Sequence, residues 1–563
     1  MNYGRYIFLF SFLSGSFFAT AQLFPEKHYP KNYFIWPVKA KIGIAANFGE
    51  LRPNHYHMGL DCRTDQKVNV PVVAAADGYI ARVKVEPSGF GCAIYIDHPN
   101  GLTTLYAHLN DLYPELQQYV KDQQYKLESW RVFLNIPANM FPVKQGQFIA
   151  YSGSTGGSEG PHTHFEIRDT KTDKVLNPLL FNFPIPDNIP PDILRLAVYD
   201  RNISTYEQSP KFYPLKKVNG IYTLTVVTLR ALSNKISFAI TAYDRYTGSS
   251  NRNGIYEAIL YKDEKAISGF QLDSIGYDET RYVNANIDYK LKNSGGSYVQ
   301  HLGRLPGYNN SVYATGDGVV DLSDTALHTI KITVKDANGN ISILKFDVKL
   351  DALPNNKATN SNNAQEFYPN AVNIFENNEV SFYLPETGLY DSIRFKFSET
   401  GAGSAFPIYQ IHNTLVPLQT YFPIKIKGSS SYQNKMVMHR FAGGKSDHDK
   451  AIYTNGWYKA SFRDFGNFQL MIDTIGPIIT PLGFKDGMKV SSTGYIRFSV
   501  SDNTGDLNFR AELDGKWLRF TNDKGRIFVY KIDEHCSEGE HELKITATDM
   551  VGNKSERVYR FTK

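Results

Sequence analysis

A segment of alternating polar and apolar residues, closed by an Asp, Gly and Asn turn, occurs twice in this sequence. Residues 328–342 read HTIKITVKDANGNIS, and residues 541–555 read HELKITATDMVGNKS. A period of two places successive side chains on opposite faces of a β-strand, and glycine with asparagine is typical of the turn between two strands. Each copy therefore predicts two strands joined by a turn, and a weaker copy at residues 461–467 predicts the same. A chain built from such units is expected to be mainly β-structure.

The composition supports this prediction and excludes several classes of protein. The 563 residues include 37 Tyr and 36 Phe, which favour strands. Charged residues make up 21% and hydrophobic residues 42% of the chain, as in folded rather than disordered proteins. A net charge of +5 over this length gives no indication of nucleic-acid binding. Three cysteines exclude a disulfide scaffold; Cys62 and Cys92 are expected to be buried free thiols, with a disulfide between them as the alternative.

The N-terminus has the pattern of an export signal. Arg5 supplies a positive charge, residues 7–18 are largely apolar, and Ala19 and Ala21 are the small residues expected before a cleavage point. The apolar run is shorter than the ~20 residues of a membrane-spanning helix, and no later stretch looks transmembrane. We predict a signal peptide at residues 1–21, with an uncleaved anchor as the alternative. The exported chain is expected in the periplasm, associated with the cell envelope, or secreted.

Two segments of unusual composition divide the chain. Residues 184–191, PIPDNIPP, predict a stiff linker, and the Asn-, Ser- and Ala-rich residues 353–365 predict a flexible one. The repeated segments resemble bacterial immunoglobulin-like sandwich domains, which implies several β-sandwiches after the first linker. The predicted boundaries are 1–21 for the signal peptide, 22–183 for an N-terminal domain with an insertion at 111–141, 192–350 for a β-sandwich, 366–473 for a β-domain and 474–563 for an immunoglobulin-like β-sandwich.

The first chemically suggestive motif is His57-Met-Gly-Leu-Asp61. On a straight strand, residues four apart lie about 13 Å apart, too far to share a zinc ion with bonds of about 2 Å. Gly59 lets the chain bend so that both side chains can turn to one point. Taken alone, the motif is weak, and a surface His and Asp in a loop is the better interpretation. His55, two residues earlier, is either a substrate contact or loop surface.

A second motif is His162-Thr-His164-Phe-Glu166. Residues two apart on a strand face the same way at about 6.5–7 Å, so two imidazoles can serve one metal site, or simply be an exposed pair. Glu166 either supports that site or faces solvent. His108 follows a strand of alternating apolar residues. Taken alone, it is expected to be a structural histidine in the core or at the edge of the sheet.

Together, these motifs and the residues around them resemble the LytM/lysostaphin zinc peptidases. The matching text includes Phe48-Gly-Glu50, PVVAAADG at residues 71–78, Gly146-Gln147, and SGSTGGSEGPH at residues 152–162. The resemblance covers about residues 48–168. It implies a small antiparallel β-sheet peptidase domain, placed before the β-sandwiches, that hydrolyses peptide bonds in peptidoglycan stems or cross-links.

The resemblance also implies a role for each motif residue. His57, Asp61 and His164 would bind Zn²⁺ and leave a fourth position open, as catalytic zinc requires. His108 and His162 would be catalytic without binding the ion: one takes a proton from water and the other stabilises the oxyanion, in an order left open. No HExxH motif is present, which agrees with a mechanism that uses histidines.

Residues 111–141 depart from a minimal member of that family. They are polar and aromatic, with apolar residues at roughly helical spacing, and predict a partly helical insertion over one end of the sheet. The insertion follows His108 and is expected to narrow the groove, contact substrate or act as a lid.

Three functions remain open at this point. The chain is an active endopeptidase on peptidoglycan peptides, a non-catalytic envelope regulator of another hydrolase, or a wall-binding protein whose β-domains position the enzyme or pair with an envelope protein partner. All five candidate positions are occupied by the expected residues, which favours the endopeptidase.

Overall fold

The computed structural model describes residues 23–314, 316–351, 365–505 and 507–563. Strands dominate these ranges, and the prediction of a mainly β fold is confirmed. The signal peptide predicted at residues 1–21 lies outside the described residues. Within the described ranges, no helix has the length and apolar character needed to cross a membrane.

The N-terminal region contains a large antiparallel sheet and a small one. Its elements are β1 (Ile44–Ala46), β2 (Leu51–Arg52), β3 (His55–Tyr56), β4 (Leu60–Arg63), β5 (Pro71–Val73), β6 (Gly78–Val85), β7 (Cys92–Asp97), β8 (Leu102–Ala107), β9 (Leu109–Leu112), α1 (Pro114–Lys126), β10 (Val132–Asn135), β11 (Pro142–Val143), β12 (Phe148–Ser152), β13 (His162–Asp169), β14 (Val175–Leu176) and a 3₁₀ turn at Pro178–Phe181. The large sheet runs β1-β4-β13-β8-β7-β6-β10, and the small one runs β5-β12-β9.

The core of this region lies between its two sheets. Ile80, Val83 and Ile94 from the large sheet and Val72 and Ile149 from the small one are fully buried in one cluster. Alternation along the strands sends these side chains inward, which is why the apolar period of two forms this layer. The three described cysteines are all free thiols.

The insertion contributes both a helix and a strand. Helix α1 begins at Pro114, whose fixed φ suits the first turn, and it buries Leu116 and Val120. The chain then returns as β10, which pairs with β6 and extends the edge of the large sheet. The helical pattern was visible in the sequence, whereas the edge strand was not anticipated.

The second region forms a β-sandwich. Its elements are β15 (Asp192–Asp200), a 3₁₀ turn (Thr205–Glu207), β16 (Lys211–Val218), β17 (Ile221–Leu224), β18 (Thr228–Ala231), β19 (Lys235–Tyr243), β20 (Glu257–Lys262), β21 (Lys265–Gln271), β22 (Ser274–Ile275), a 3₁₀ turn (Thr280–Tyr282), α2 (Val283–Asn286), α3 (Tyr289–Asn293), β23 (Gln300–His301), β24 (Val320–Asp321), β25 (His328–Lys335) and β26 (Ile341–Leu350). The ring centroids of Phe238 on β19 and Phe346 on β26 lie 5.5 Å apart, although these strands are not paired. The sheet therefore closes over a shared core.

The third region has two five-stranded sheets. Its elements are β27 (Glu366–Phe367), β28 (Asn373–Glu376), β29 (Val380–Leu384), β30 (Ile393–Arg394), β31 (Phe397–Thr400), β32 (Ile408–Ile411), β33 (Pro417–Lys427), a 3₁₀ turn (Gln433–Lys435), β34 (Met436–Ala442), β35 (Lys445–Lys450), β36 (Ile452–Thr454), β37 (Trp457–Asp464) and β38 (Gly466–Ile472). The sheets run β28-β29-β33-β37-β36 and β31-β32-β38-β34-β35.

The fourth region is a smaller sandwich. Its elements are β39 (Ile478–Pro481), β40 (Met488–Lys489), β41 (Tyr495–Ser501), β42 (Leu507–Leu513), β43 (Lys516–Trp517), β44 (Ile527–Lys531), β45 (Glu540–Asp549) and β46 (Lys554–Thr562). Strands β39-β41-β44 form one sheet and β40-β46-β45-β42-β43 the other. The rings of Phe498 on β41 and Tyr559 on β46 lie 5.4 Å apart across the core.

The repeated segments differ in how their strands pair. β25 pairs with β26 and β45 pairs with β46, so two copies are antiparallel hairpins. In the third copy, β37 and β38 belong to different sheets. Only Phe465 separates these strands, and its side chain is fully buried in the core. The chain therefore crosses from one sheet to the other at the point where a hairpin turn was predicted.

The N-terminal region and the second region share a core. Phe48, Tyr56 and Met58 lie in the cluster that fills the second sandwich. Strand β14 pairs with β13 on one side and with β22 of the second region on the other. The proline-rich segment between the two regions therefore does not separate independent bodies.

Candidate metal centre

Two neighbouring strands and one loop bring the first candidate residues together. Asp61 on β4 stands directly opposite His164 on β13 in the antiparallel register. His57 lies in the loop just before β4. A Cβ on Gly59 would lie 2.4 Å from the Phe165 carbonyl oxygen, so only glycine lets this loop pack against β13.

The ligand atoms of these three residues form a tight triangle. His57 Nε2 lies 2.9 Å from Asp61 Oδ1 and 3.1 Å from His164 Nδ1, and His164 Nδ1 lies 3.0 Å from Asp61 Oδ1. Ligands about 2 Å from one tetrahedral zinc ion are themselves about 3.3 Å apart. The triangle is therefore close to the size that one such ion requires.

Hydrogen bonds on the far side of each ring fix which nitrogen faces the triangle. His57 Nδ1 donates to the Asn47 carbonyl oxygen at 2.8 Å, and His164 Nε2 donates to Glu166 Oε1 at 2.9 Å. Each ring thus turns its other nitrogen towards the Asp61 carboxylate, where loss of the proton on that nitrogen provides a lone pair for an ion. Two lone pairs and a carboxylate oxygen meeting at about 3 Å are the donor set for a cation.

Buried charge around the triangle also favours a cation. Burial opposes the charge on Asp61, but the neighbouring histidines outweigh it and hold the pKa of Asp61 well below its usual range. Burial likewise opposes the charge on Glu166, yet Arg168 and His164 lower its pKa to about 2. Burial lowers the pKa of His164, but hydrogen bonds to Asp61 and Glu166 raise it to about 9. The two carboxylates that attract a proton here attract a metal ion in the same way.

His108 and His162 lie beside the triangle. Their ring centroids are 4.8 Å apart, and His162 Nε2 lies 3.3 Å from Asp61 Oδ1. His108 Nδ1 donates to the Thr155 carbonyl oxygen at 2.8 Å, and His162 Nδ1 donates to the Gly160 carbonyl oxygen at 2.8 Å. His108 therefore leaves Nε2 without a hydrogen-bond partner among the described residues, whereas His162 Nε2 faces Asp61. Burial, followed by the charges of His164 and His162, lowers the pKa of His108 to about 3, so this ring is neutral.

Residues outside the motifs complete the surroundings of the triangle. Tyr277, from the second region, donates a hydrogen bond to Glu166, which is fully buried. Asn47 exchanges two hydrogen bonds with the Gly254 backbone, at 2.8 and 3.0 Å. The sequence suggested a supporting role for Glu166. It gave no indication of Tyr277 or Asn47, because their partners Glu166 and Gly254 are more than 100 residues away along the chain.

The fourth region reaches the loop that orients the two free histidines. Gly156 N donates to Asp523 Oδ1 at 2.7 Å, and Lys524 Nζ donates to Ser154 Oγ at 2.9 Å and to the Ser158 carbonyl oxygen at 2.6 Å. Residues 154–158 are the same loop whose carbonyl and hydroxyl groups contact His108 and His162. The fourth region therefore covers one side of the candidate site.

Helix α1 of the insertion also docks on the fourth region. Lys121 Nζ lies 2.8 Å from an Asp533 carboxylate oxygen, and the Tyr125 ring stacks on His535 with centroids 3.8 Å apart. Arg510 pairs with Glu128, just beyond the helix, at 2.7 Å. The insertion thus serves as a contact between regions, a role that the sequence did not suggest.

The His55 side chain, on β3, is exposed, and its Nδ1 donates to the Pro53 carbonyl oxygen at 2.9 Å. A polar hollow lies beside His162. Its lining residues are Ala45, Arg63, Thr64, Asp65, Gln66, Pro161, His162 and Asn251.

Comparison with known families matches two segments. Residues 55–125 match Peptidase family M23, and residues 364–473 match the Zu5-like domain. The first match includes His57, Asp61 and His108 and ends before His162.

Several known proteins are similar to part of this chain. DD-carboxypeptidase/endopeptidase Mpg of Neisseria meningitidis serogroup B is 34% identical over 131 residues, which are 23% of this chain and 24% of that protein. Cell division protein DipM of Caulobacter vibrioides is 30% identical over 144 residues, 26% of this chain and 19% of that protein. The catalytic domain of lysostaphin from Staphylococcus simulans is 23% identical, with 25% of this chain and 91% of that chain covered and a TM-score of 0.19. The chain spans a quarter or less of the length of these two curated relatives.

Proposed function

Since the chain carries an M23 (LytM-type) peptidase domain, we propose that it is a zinc-dependent endopeptidase that hydrolyses peptide bonds in peptidoglycan stems or cross-links. The observation that carries this proposal is the triangle of ligand atoms from His57, Asp61 and His164, each 2.9–3.1 Å from the others. The names of the relatives, which refer to endopeptidases, support the class of reaction. The substrate is proposed from that similarity and from the predicted export of the chain.

His57, Asp61 and His164 would hold the zinc ion. When bound, zinc lowers the pKa of water towards neutrality and polarises a carbonyl group. Two imidazoles and one carboxylate fit its preference for nitrogen and oxygen donors. Asn47 and Glu166 hold the two imidazoles in the tautomers that leave a lone pair for the ion.

His108 and His162 would move the protons. The Thr155 and Gly160 carbonyl groups keep a proton on each Nδ1, so each Nε2 can accept or donate at the site. One ring takes a proton from the attacking water on Nε2 and passes it to the leaving amine, and the other, when protonated on Nε2, stabilises the oxyanion. A peptide lying in the polar hollow beside His162 would bring its scissile bond to this point.

Digestion of purified sacculi tests the proposal directly. The zinc-loaded chain from Gln22 should release muropeptides that mass spectrometry identifies, and a chelator should stop the release until zinc is restored. His164→Ala should lose zinc and activity, whereas His55→Ala, at the exposed neighbouring histidine, should keep both. A zinc-loaded protein that cleaves no sacculus preparation would rule the proposal out.

The same His164→Ala variant separates the enzyme from the alternative of a non-catalytic envelope regulator. An enzyme loses its role in the cell when this ligand is removed, while a regulator that acts through its surface keeps it. An envelope protein partner for the β-regions, and a periplasmic, envelope-associated or secreted location, remain predictions from the sequence.

A further inference from the structure

Three carboxylates converge where the proline-rich segment meets the second region. Asp187 lies in that segment, Asp244 directly follows β19, and Asp336 opens the turn between β25 and β26. One oxygen from each lies within 4.8 Å of the other two. Three negative charges this close repel one another unless a positive charge or shared protons compensate them.

Two members of this cluster have carboxylate oxygens without a hydrogen-bond donor, whereas both oxygens of Asp336 accept from Asn338 and Asn340. Asp244 is 1% exposed, and neither of its carboxylate oxygens accepts a hydrogen bond. Asp187 Oδ2 is also buried without a donor. Buried polar atoms in native proteins are nearly always hydrogen-bonded, so unpartnered carboxylate oxygens that face each other indicate a missing ligand.

The cluster also includes a neutral oxygen, from the side-chain amide of Asn253. Asn253 is bridged to Asp244 by two backbone hydrogen bonds of 2.9 Å, a pairing that places both side chains on one face. Asn253 is 3% exposed, and its Oδ1 has no donor either. The cluster thus offers a fourth oxygen of a type that binds hard cations.

No side chain supplies the missing positive charge. In the described ranges, none of the three carboxylates forms an ion pair, and the nearby Arg245 instead pairs with Asp192 at 2.6 Å. Burial, then the charges of Asp187 and Asp336, raises the pKa of Asp244 to about 8. The cluster therefore takes up positive charge from solution, either as protons or as a cation.

The fourth region carries an equivalent cluster of Asp473, Asp502 and Asp549. In both regions an Asn at the end of the repeated turn donates to the backbone carbonyl of the linker Asp: Asn553 to Asp473 at 3.0 Å, and Asn340 to Asp187 at 3.5 Å. The arrangement is therefore a repeated feature of the two sandwiches.

One hydroxyl distinguishes the two clusters. Thr504 donates to Asp473 at 3.1 Å and to Asp502 at 2.7 Å, so the second cluster has an internal donor. The corresponding position after Asp244 is Tyr246, and no hydroxyl reaches the Asp244 oxygens. Asp502 Oδ1 of the second cluster is also buried without a donor, but the first cluster has more such oxygens: Asp187 Oδ2, both oxygens of Asp244 and Asn253 Oδ1.

We propose that Asp187, Asp244 and Asp336, together with the side-chain oxygen of Asn253, bind a calcium ion. Calcium accepts six to eight oxygen ligands at about 2.3–2.6 Å, so ligands across the ion lie up to about 5 Å apart. Magnesium, with bonds of about 2.0–2.1 Å, spans only about 4.2 Å. A set of four protein oxygens without nitrogen or sulfur suits calcium better than zinc, and magnesium usually binds through one or two carboxylates and keeps several waters.

The ion would stiffen the junction behind the metal centre. Asn253 precedes Gly254, whose backbone holds the Asn47 side chain, and the Asn47 carbonyl orients His57. Calcium bound at the cluster would hold Gly254 and Asn47 in place without contacting the substrate. The ion would therefore help to position His57 and take no part in the reaction.

Calcium titration of the full zinc-loaded mature chain tests the inference. In calcium-free buffer, calorimetry should detect binding with a Kd below about 1 mM, and saturating Ca²⁺ should raise the Tm by at least about 3 °C. Asp244→Asn should lose more than half of that rise. Without calcium this variant should melt at or above the Tm of the unchanged protein, because a repulsive charge is gone. Asp317→Asn, an exposed position in the same region, should respond fully.

Each opposite result would overturn the assignment. No heat of binding and no Tm rise in the unchanged protein would show that protons alone neutralise the cluster. A rise in Asp244→Asn above half the original would place the ion elsewhere. An equal response to Mg²⁺ at the same concentration would exclude a calcium-sized site. These readouts do not depend on peptidase activity, so they stand apart from a failure of the proposed function.

Discussion

Glu166 is the residue on which the electrostatics of the metal centre depend most. It is fully buried, accepts from His164 on one oxygen and from Arg168 at 2.7 Å on the other, and keeps its negative charge. A carboxylate behind a ligating imidazole fixes the ring and increases its basicity. Glu166 would therefore act on a bound ion through His164.

Replacing this charge should weaken zinc binding. We expect Glu166→Gln to raise the Kd for zinc by about 10- to 100-fold, measured by competition with a chromogenic chelator. Glu376→Gln, on an exposed strand of the third region, is the matched control and should leave the Kd unchanged. An unchanged Kd in a folded Glu166→Gln protein would contradict this role.

The five candidate site residues could be predicted because short motifs carry them. His162 and His164 lie two residues apart on one strand, and Asp61 follows Gly59 by two residues. Such local spacing determines where the side chains lie relative to one another in the folded chain. Tyr277 and Asn47 could not be predicted in this way, since their partners Glu166 and Gly254 are brought to them only by packing between regions. Local spacing contains no information about such contacts.

His412 shows how a single buried ring sets the acid stability of the third region. Neither of its nitrogens has a hydrogen-bond partner, and burial lowers its pKa to about 4. Because folding disfavours protonation of this ring, the folded state is most stable above the unfolded pKa of about 6.5. Its stability falls as the pH drops towards 4, since the unfolded state takes up the proton first.

We expect the free energy of unfolding to fall by up to about 3 kcal/mol between pH 6.5 and pH 4 through this residue. His412→Phe keeps a ring beside Phe465 and does not titrate, so it should reduce this loss. Denaturant unfolding monitored at both pH values checks it. An identical pH dependence in the variant would contradict the assignment.

At the scale of elements, the metal centre depends on the close approach of the loop before β4 to strand β13. A Cβ on Gly59 would lie 2.4 Å from the Phe165 carbonyl and 2.9 Å from His164 Nε2. The sequence suggested that this glycine allows a bend; the structure adds that it makes room for the neighbouring strand.

Gly59→Ala should therefore separate the two elements. We expect a loss of about 1–3 kcal/mol in the free energy of unfolding together with weaker zinc binding, measured by denaturant titration and chelator competition. Gly160→Ala is the matched control, because a Cβ there meets nothing within 4 Å and its φ is not positive. If the two variants are equally stable, β13 can move to accommodate the added methyl group.

Elements differ in how well the sequence predicted them. The period of two in β25 and β45 predicted both hairpins, because each pairs with the next strand along the chain. The weaker copy at residues 461–467 also predicted a hairpin but leads from one sheet to another, since Phe465 turns into the core. Strand β10 was missed because the exposed Phe133 between Val132 and Leu134 hides the alternation in the sequence.

At the scale of the whole molecule, the fourth region folds back onto the first. Asp523 and Lys524 hold the loop at residues 154–158, while Asp533 and His535 hold helix α1. Two separate patches on one partner fix its orientation more firmly than either patch alone. A polymer approaching the candidate site from this side meets the fourth region first.

Loosening this contact should expose the site to large substrates. We expect Lys524→Ala to increase the rate of muropeptide release from sacculi several-fold, with a smaller effect on a short synthetic peptide that reaches the site from the open side. Lys485→Ala, an exposed lysine in the same region, is the control. Equal rates on sacculi for both variants would show that the contact does not restrict access.

Strand β14 lies between β13 and β22, so a single hydrogen-bonded sheet crosses the border between the first two regions. A gene truncated at the proline-rich segment would leave one edge of β14 unpaired and expose Phe48, Tyr56 and Met58 to water. Both defects promote aggregation. For anyone grafting the N-terminal region onto another scaffold, and for recombination in evolution, the smallest portable unit thus ends after β26 rather than at the prolines.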